Sequence, residues 1–129
     1  MHIPPGFGTV TPYFFVEDAS SFVAFLLRGL GGSEVLRHQR DDGRIANAQV
    51  QLGTSTVMVS EASSAYPPTR GSYYLYVADA DASVAQALRA GAVLEMSVQD
   101  MPYQDRQGGV KDPHGNIWWI SQRLKSGPY

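Results

Sequence analysis

The 129-residue chain carries the same pattern twice. Tyr13 matches Tyr74, Phe15 matches Tyr76, Val16 matches Val77 and Asp18 matches Asp79. Val23-Ala24 matches Val84-Ala85, and Leu27-Arg28 matches Leu88-Arg89. One constant offset serves every pair, through strand and helix alike. A duplicated module of roughly sixty residues is too long, and present in too few copies, for a solenoid. Either module alone would leave one sheet face unburied. The expected solution places two modules edge to edge, as a curved, partly open mixed sheet with helices on one face and a hollow on the other. A hollow between paired halves is a natural ligand site.

Within each copy the order β, α, β, β, β follows from local pattern. In the first module (residues 9–61), residues 10–16 are rich in β-formers with Pro12 near the start. Residues 17–21 supply helix caps, and Phe22, Val23, Phe25, Leu26 and Leu30 follow at helical spacing before Gly31-Gly32. Strands are expected over 34–39, 46–52 and 56–60, with a hairpin turn at Asp41-Asp42-Gly43. Residues 62–71, with Pro67-Pro68, read as a linker. The second module (72–122) repeats the order. A strand over 72–77 leads to a helix capped by residues 79–83 and ending at Ala90-Gly91. Strands over 93–97, 107–110 and 117–121 follow, with a loop at 102–106. Asp112-Pro113-His114-Gly115-Asn116 is dense turn chemistry joining the last two strands. Residues 123–129 read as a loose tail.

Bulk properties exclude several classes. A net charge of -2 gives no reason to expect nucleic acid or an anionic membrane as partner. With no cysteine, disulfides, thiolate metal sites and thiol nucleophiles are ruled out. No apolar run is long enough to span a bilayer, and the first residues lack the basic and apolar regions of a signal peptide, so a cytoplasmic location is expected. No Gly-rich phosphate loop and no serine nucleophile motif is present.

Two βαβββ modules, an Asp-Pro-x-Gly-Asn turn before the last strand, and Val-x-Asp-Ala opening each helix resemble the vicinal oxygen chelate superfamily. That group includes glyoxalase I, extradiol dioxygenases, fosfomycin resistance enzymes and bleomycin-binding proteins. Thr11-Pro12-Tyr13, the Asp-Gly-Arg44 turn, Gly53, Tyr103-x-Asp-Arg106 and Trp118-Trp119 look most like its compact PhnB-like branch. The resemblance covers about residues 9–122 and implies the glyoxalase/bleomycin resistance fold, in the α+β class. It also implies a homodimer, in keeping with the liability of unpaired edge strands.

The family's enzymes hold a divalent metal with four side chains, one from the first and one from the fourth strand of each module. Carried over, those positions are Thr11, Met58, Ser72 and Trp119. Hydroxyls, a thioether and an indole are poor ligands for such ions, so no metal and no other cofactor is expected there. A metal-dependent lyase, isomerase or dioxygenase would need a different set, such as His38, Gln49 and Glu61.

Strand alternation and the family's pocket positions place Tyr13, Phe15, Tyr74, Tyr76 and Trp119 on the concave face. They either fill the hollow themselves, leaving a scaffold for interaction, or wall an apolar pocket for a small organic ligand. Asn47, Gln49 and Gln51 share one strand face, as a polar outer surface or as amides facing a ligand. Tyr103 and Arg106 sit in a loop expected to close one end. Arg106 either forks a ligand carboxylate or phosphate, or braces the turn through Asp105 or Asp112. Glu61 is the one candidate base, against the reading of a solvated strand-end residue. His2 belongs to the lead-in, and His38 and His114 read as edge and surface-turn residues. The leading expectation is metal-free binding of a small apolar or aromatic molecule.

Overall fold

In the first strand Phe14 and Val16 are 1% exposed, whereas Tyr13 is 44% exposed. That alternation is the mark of a strand with one buried face. The computed structural model describes residues 2–129, which form two units, one ending at Arg70 and the other beginning at Gly71. The first contains β1 (Tyr13–Val16), α1 (Ala19–Arg28), β2 (Ser33–Gln39), β3 (Ile45–Leu52) and β4 (Ser55–Glu61). The second contains β5 (Ser72–Tyr76), α2 (Ala80–Arg89), β6 (Val93–Asp100), β7 (Asp105–Lys111) and β8 (Ile117–Arg123). Each unit has a four-stranded sheet, ordered β1-β4-β3-β2 and β5-β8-β7-β6. In both, the first and last strands run parallel and the remaining pairs antiparallel. This is the expected α+β class: two βαβββ modules, each an open mixed sheet with one helix.

The helices start at matching places for matching reasons. Asp18 and Asp79 are the N-caps, their carboxylates accepting from the Ser21 and Ala82 amides. A residue at the end of the last strand adds a second cap. The Glu61 carboxylate accepts from the amides of Asp18 and Ala19, both at 2.9 Å. In the second unit the Gln122 amide oxygen accepts from the Ala80 amide at 3.1 Å. Each bond satisfies a helix-end donor that has no partner within the helix. It also ties the end of the last strand to the helix that covers its sheet. In the first core, Phe14 on β1 meets Phe22 on α1 with ring centroids 5.0 Å apart.

The Asp112–Asn116 turn is anchored from inside. Asp112 is buried. Its Oδ1 accepts from the amides of His114 and Asn116 at 2.8 and 3.0 Å. Its Oδ2 accepts from the Trp118 indole at 2.8 Å and the Asn116 side chain at 3.1 Å. Asn116, fully buried, in turn accepts from the Gly71 amide at 2.9 Å. One carboxylate therefore links turn, β8 and the entry to β5.

Two neighbouring glycines in β7 serve opposite faces. A Cβ on Gly108 would lie 2.8 Å from Val98 and 3.0 Å from Val84 of α2, so a bare backbone lets that helix pack close. A Cβ on Gly109 would lie 2.7 Å from the Trp119 ring on the other side.

Several boundaries differ from expectation. Regular pairing in β1 begins at Tyr13, after Pro12, which has no N–H to give. Helix α1 ends at Arg28 with Gly29 as its C-cap, so Leu30 lies outside it. The 102–106 loop is shorter: β6 runs to Asp100, β7 begins at Asp105, and Gln104 adopts a positive φ of 68° in the tight turn between them. The 62–71 segment is held along β1, where the Thr69 amide donates to the Phe15 carbonyl at 2.9 Å. The tail is not loose either. β8 continues through Arg123, and its guanidinium donates to the Pro128 carbonyl at 3.1 Å.

Asp112→Ala should lower unfolding free energy by roughly 3 kcal/mol, because it strands buried donors at about 1–3 kcal/mol each. Urea denaturation checks this: a loss under about 0.5 kcal/mol would show that the turn does not depend on this carboxylate.

Candidate functional site

The sheet face turned away from each helix carries the aromatic candidates Tyr13, Phe15, Tyr74, Tyr76 and Trp119. In the first unit Tyr13, Met58 and Gln49 lie in one row across β1, β4 and β3. Phe15 and Ser60 begin the next row. A directed hydrogen-bond chain runs over this face. The Asn47 amide donates to the Tyr13 hydroxyl at 3.3 Å. Tyr13 donates to Ser60 at 2.6 Å, since Ser60 spends its own proton on the Ala46 carbonyl at 2.7 Å. The Tyr13 and Phe15 rings meet at 4.8 Å, and Tyr66 stacks on Phe15 at 5.6 Å with planes 23° apart. These three rings wall a hollow of about 290 Å³, rimmed by Arg40 and Glu61.

In the second unit Tyr74, Trp119 and Gly109 form the matching row, and Tyr76, Ser121 and Gln107 the next. The Trp119 ring lies against Gly109, and its indole N–H donates to the Ser72 hydroxyl at 2.9 Å. Tyr103 donates to the Gln107 side-chain oxygen Oε1, and Gln107 Nε2 donates to the Ser121 hydroxyl. Gln107 and Ser121 are buried, so the face is polar beneath its rings. A second hollow, of about 400 Å³, is lined by Tyr74, Tyr76, Tyr103 and Tyr129. Tyr129 donates to Asp105 at 2.7 Å, which leaves Tyr76 as the donor in the 2.7 Å contact between the two phenols. Asp105 is fully buried and pairs with Arg123 at 3.0 Å. The Arg123 guanidinium sits 4.0 Å from the Tyr129 ring centre.

Against this geometry, the profile of the Glyoxalase/Bleomycin resistance protein/Dioxygenase superfamily matches residues 6–120. The chain belongs to that superfamily. An uncharacterised protein of Mycobacterium bovis is 29% identical over 127 residues, covering 90% of this chain and 84% of its own length. The crystal structure of TioX from Micromonospora sp. ML1 is 28% identical with a TM-score of 0.76, over 91% of this chain and 100% of that one. TnmS3, an antibiotic binding protein from Streptomyces sp. CB03234, shares the fold at 22% identity and a TM-score of 0.67, over 95% and 98%.

Membership in the superfamily poses the metal question at four positions. Thr11, just before β1, and Met58 belong to the first unit; Ser72 and Trp119 belong to the second. The donor set does not fit a divalent transition metal. An indole N–H has no lone pair to give, a thioether is soft, and hydroxyls are weak ligands unaided. Trp119 and Ser72 moreover satisfy each other. Among the described residues no three His, Asp or Glu side chains gather into a group able to hold a metal. Of the substitute set, Gln49 is half-buried on β3, His38 is exposed on β2, and Glu61 is engaged by two helix amides. Glu61 thus caps the helix while it stays half-buried at the rim of the first hollow.

Arg106 differs from expectation in both place and partner. It lies in β7, not in a loop, and binds Asp81 through Nε and Nη2 at 2.7 and 3.1 Å and Asp100 through Nη1 at 2.9 Å. These contacts hold the Asp81 carboxyl below its usual range and raise the guanidinium further. Neither Asp105 nor Asp112 is its partner. His2 is exposed, and His114 is half-buried in its turn rather than fully at the surface. Tyr66, Tyr129 and Arg40 are site residues that sequence reasoning missed. The visible signals were an aromatic residue inside a Pro-rich linker and another at the end of the chain.

The Tyr103 phenol is pushed up to about 12, first by removal from water and then by the neighbouring Tyr74. Tyr129 is raised too, by its hydrogen bonds to Tyr76 and Asp105. An unfolded phenol loses its proton near about 10. Below that pH these groups leave stability unchanged. Between about 10 and about 12 the folded chain keeps protons that the unfolded chain has lost, so stability falls as pH rises. A tyrosinate absorbance titration should show late components, one lost in Tyr103→Phe and another in Tyr129→Phe. Ionisation of all tyrosines together near about 10 would contradict the assignment.

Proposed function

We propose that this chain binds a small, largely apolar or aromatic organic molecule without a metal, for sequestration or for metal-independent chemistry. The carrying observation is the Trp119–Ser72 hydrogen bond. At two positions where relatives place metal ligands, it puts an indole plane and a neutral hydroxyl that satisfy one another. The open face of each unit carries aromatic rings in contact with water. Tyr13, Tyr74 and Tyr76 are all exposed, and Phe15 and Trp119 partly so. Rings of this kind bury large areas on a planar guest, and apolar contact contributes roughly 25 cal/mol per Å² before binding costs. The Tyr13 hydroxyl and the amides of Asn47 and Gln49 in the first unit, and the Tyr74 hydroxyl in the second, add neutral hydrogen-bonding groups on their own faces. The existence of an antibiotic binding protein on the same fold is consistent with this use.

Titration with a panel of planar aromatic compounds, in the presence of a chelator, tests the reading. Saturable quenching of tryptophan fluorescence by at least one compound is expected. Trp119→Ala should weaken it by about tenfold or more, the cost of removing a stacked aromatic anchor. Binding that vanishes with the chelator would overturn the metal-free reading.

A further inference from the structure

The four tyrosines of the second unit form a hollow whose chemistry is narrower than aromatic binding in general. We infer that it is a cation cage, built to hold an alkylated ammonium group on the ligand. This rests on the reading above that the open faces bind a small organic molecule, and it names one part of that molecule.

Every side chain lining the hollow is a phenol: Tyr74, Tyr76, Tyr103 and Tyr129. None carries a formal charge, and phenol rings present an electron-rich face that attracts cations. The rings do not stack on one another. Tyr74 and Tyr76 are tilted by 55° with centroids 5.8 Å apart, and Tyr103 and Tyr129 stand at 66° with centroids 6.4 Å apart. In this open, shallow hollow, tilted rings offer faces at several angles to a round guest, whereas a planar guest calls for parallel walls. All four stay wet, at 49%, 58%, 37% and 68% exposure, which is not how a self-filled core holds its tyrosines.

The phenol edges are tethered in ways that hold the rings in place. Tyr76 donates to Tyr129, Tyr129 donates to the buried Asp105 carboxylate, and Tyr103 donates to Gln107. Orientation is therefore set before any guest arrives, which lowers the cost of binding. The chain itself places a cation on one of these rings: the Arg123 guanidinium lies over Tyr129 at 4.0 Å. The first unit's hollow differs, since a guanidinium and a carboxylate, Arg40 and Glu61, stand at its rim beside the rings.

Choline and its uncharged carbon isostere, 3,3-dimethylbutan-1-ol, separate charge from shape. Binding of each to the full chain is followed by calorimetry, alongside a planar aromatic compound that the chain binds. Choline should bind saturably and the alcohol at least about fivefold more weakly, the worth of a modest cation–π contact. Tyr74→Leu keeps apolar bulk at an exposed position but removes a π face. It should weaken choline by about fivefold while leaving the weaker binding of the uncharged alcohol unchanged. Tyr76→Phe, which keeps the ring, should retain choline. Equal binding of the alcohol and choline, or no choline binding while the planar compound still binds, would overturn the cage and spare the broader reading. Failure of both choline and every planar compound would overturn both.

Discussion

Each sheet has two faces and a single helix to cover them. That constraint shapes the molecule. Because strand residues alternate, the helix side must be apolar and tightly filled, as Phe14, Val16, Val57 and Val59 are. The opposite side has no helix of its own, so its outermost side chains, Tyr13, Tyr74 and Tyr76, stay exposed. Here it carries rings. The double caps, Asp18 with Glu61 and Asp79 with Gln122, fix each helix against the last strand of its sheet. The faces are thereby assigned once and cannot exchange.

The two modules have kept this frame and diverged on the open face. Glu61 and Gln122 do the same capping work with a charged and a neutral oxygen. Met58 and Trp119 occupy equivalent rows, yet only the second is an aromatic plate, and Gly109 supplies the space that its ring needs. Phe15 and Tyr76 differ by one hydroxyl, and that hydroxyl reaches Tyr129. The last two differences give the second unit an aromatic plate and a tethered phenol that the first lacks.

What could be read from sequence was what depends on near neighbours. Residue alternation, cap residues and the Asp112–Asn116 turn are local signals, and the repeat doubles each of them. Thr11, Met58, Ser72 and Trp119 were marked for attention by the family resemblance rather than by any local pattern. What escaped depends on partners distant in the chain. Arg106 looked like a loop residue because its polar neighbours hid a strand, and nothing nearby indicates Asp81 as its partner. Asp105 is buried only because Arg123 and Tyr129 return to cover and pair it. Tyr66 and Tyr129 lie in segments whose composition argues for loop and tail, and long-range ring contacts bring them to the site.

The proposed function has aromatic faces in the place of a metal centre. Metal analysis of the purified chain, after equilibration with nickel, zinc, manganese and iron and removal of free ions, tests that most directly. The predicted result is metal far below one ion per chain, with aromatic ligand binding undiminished. One tightly held divalent ion per chain, lost together with ligand binding on chelation, would contradict it.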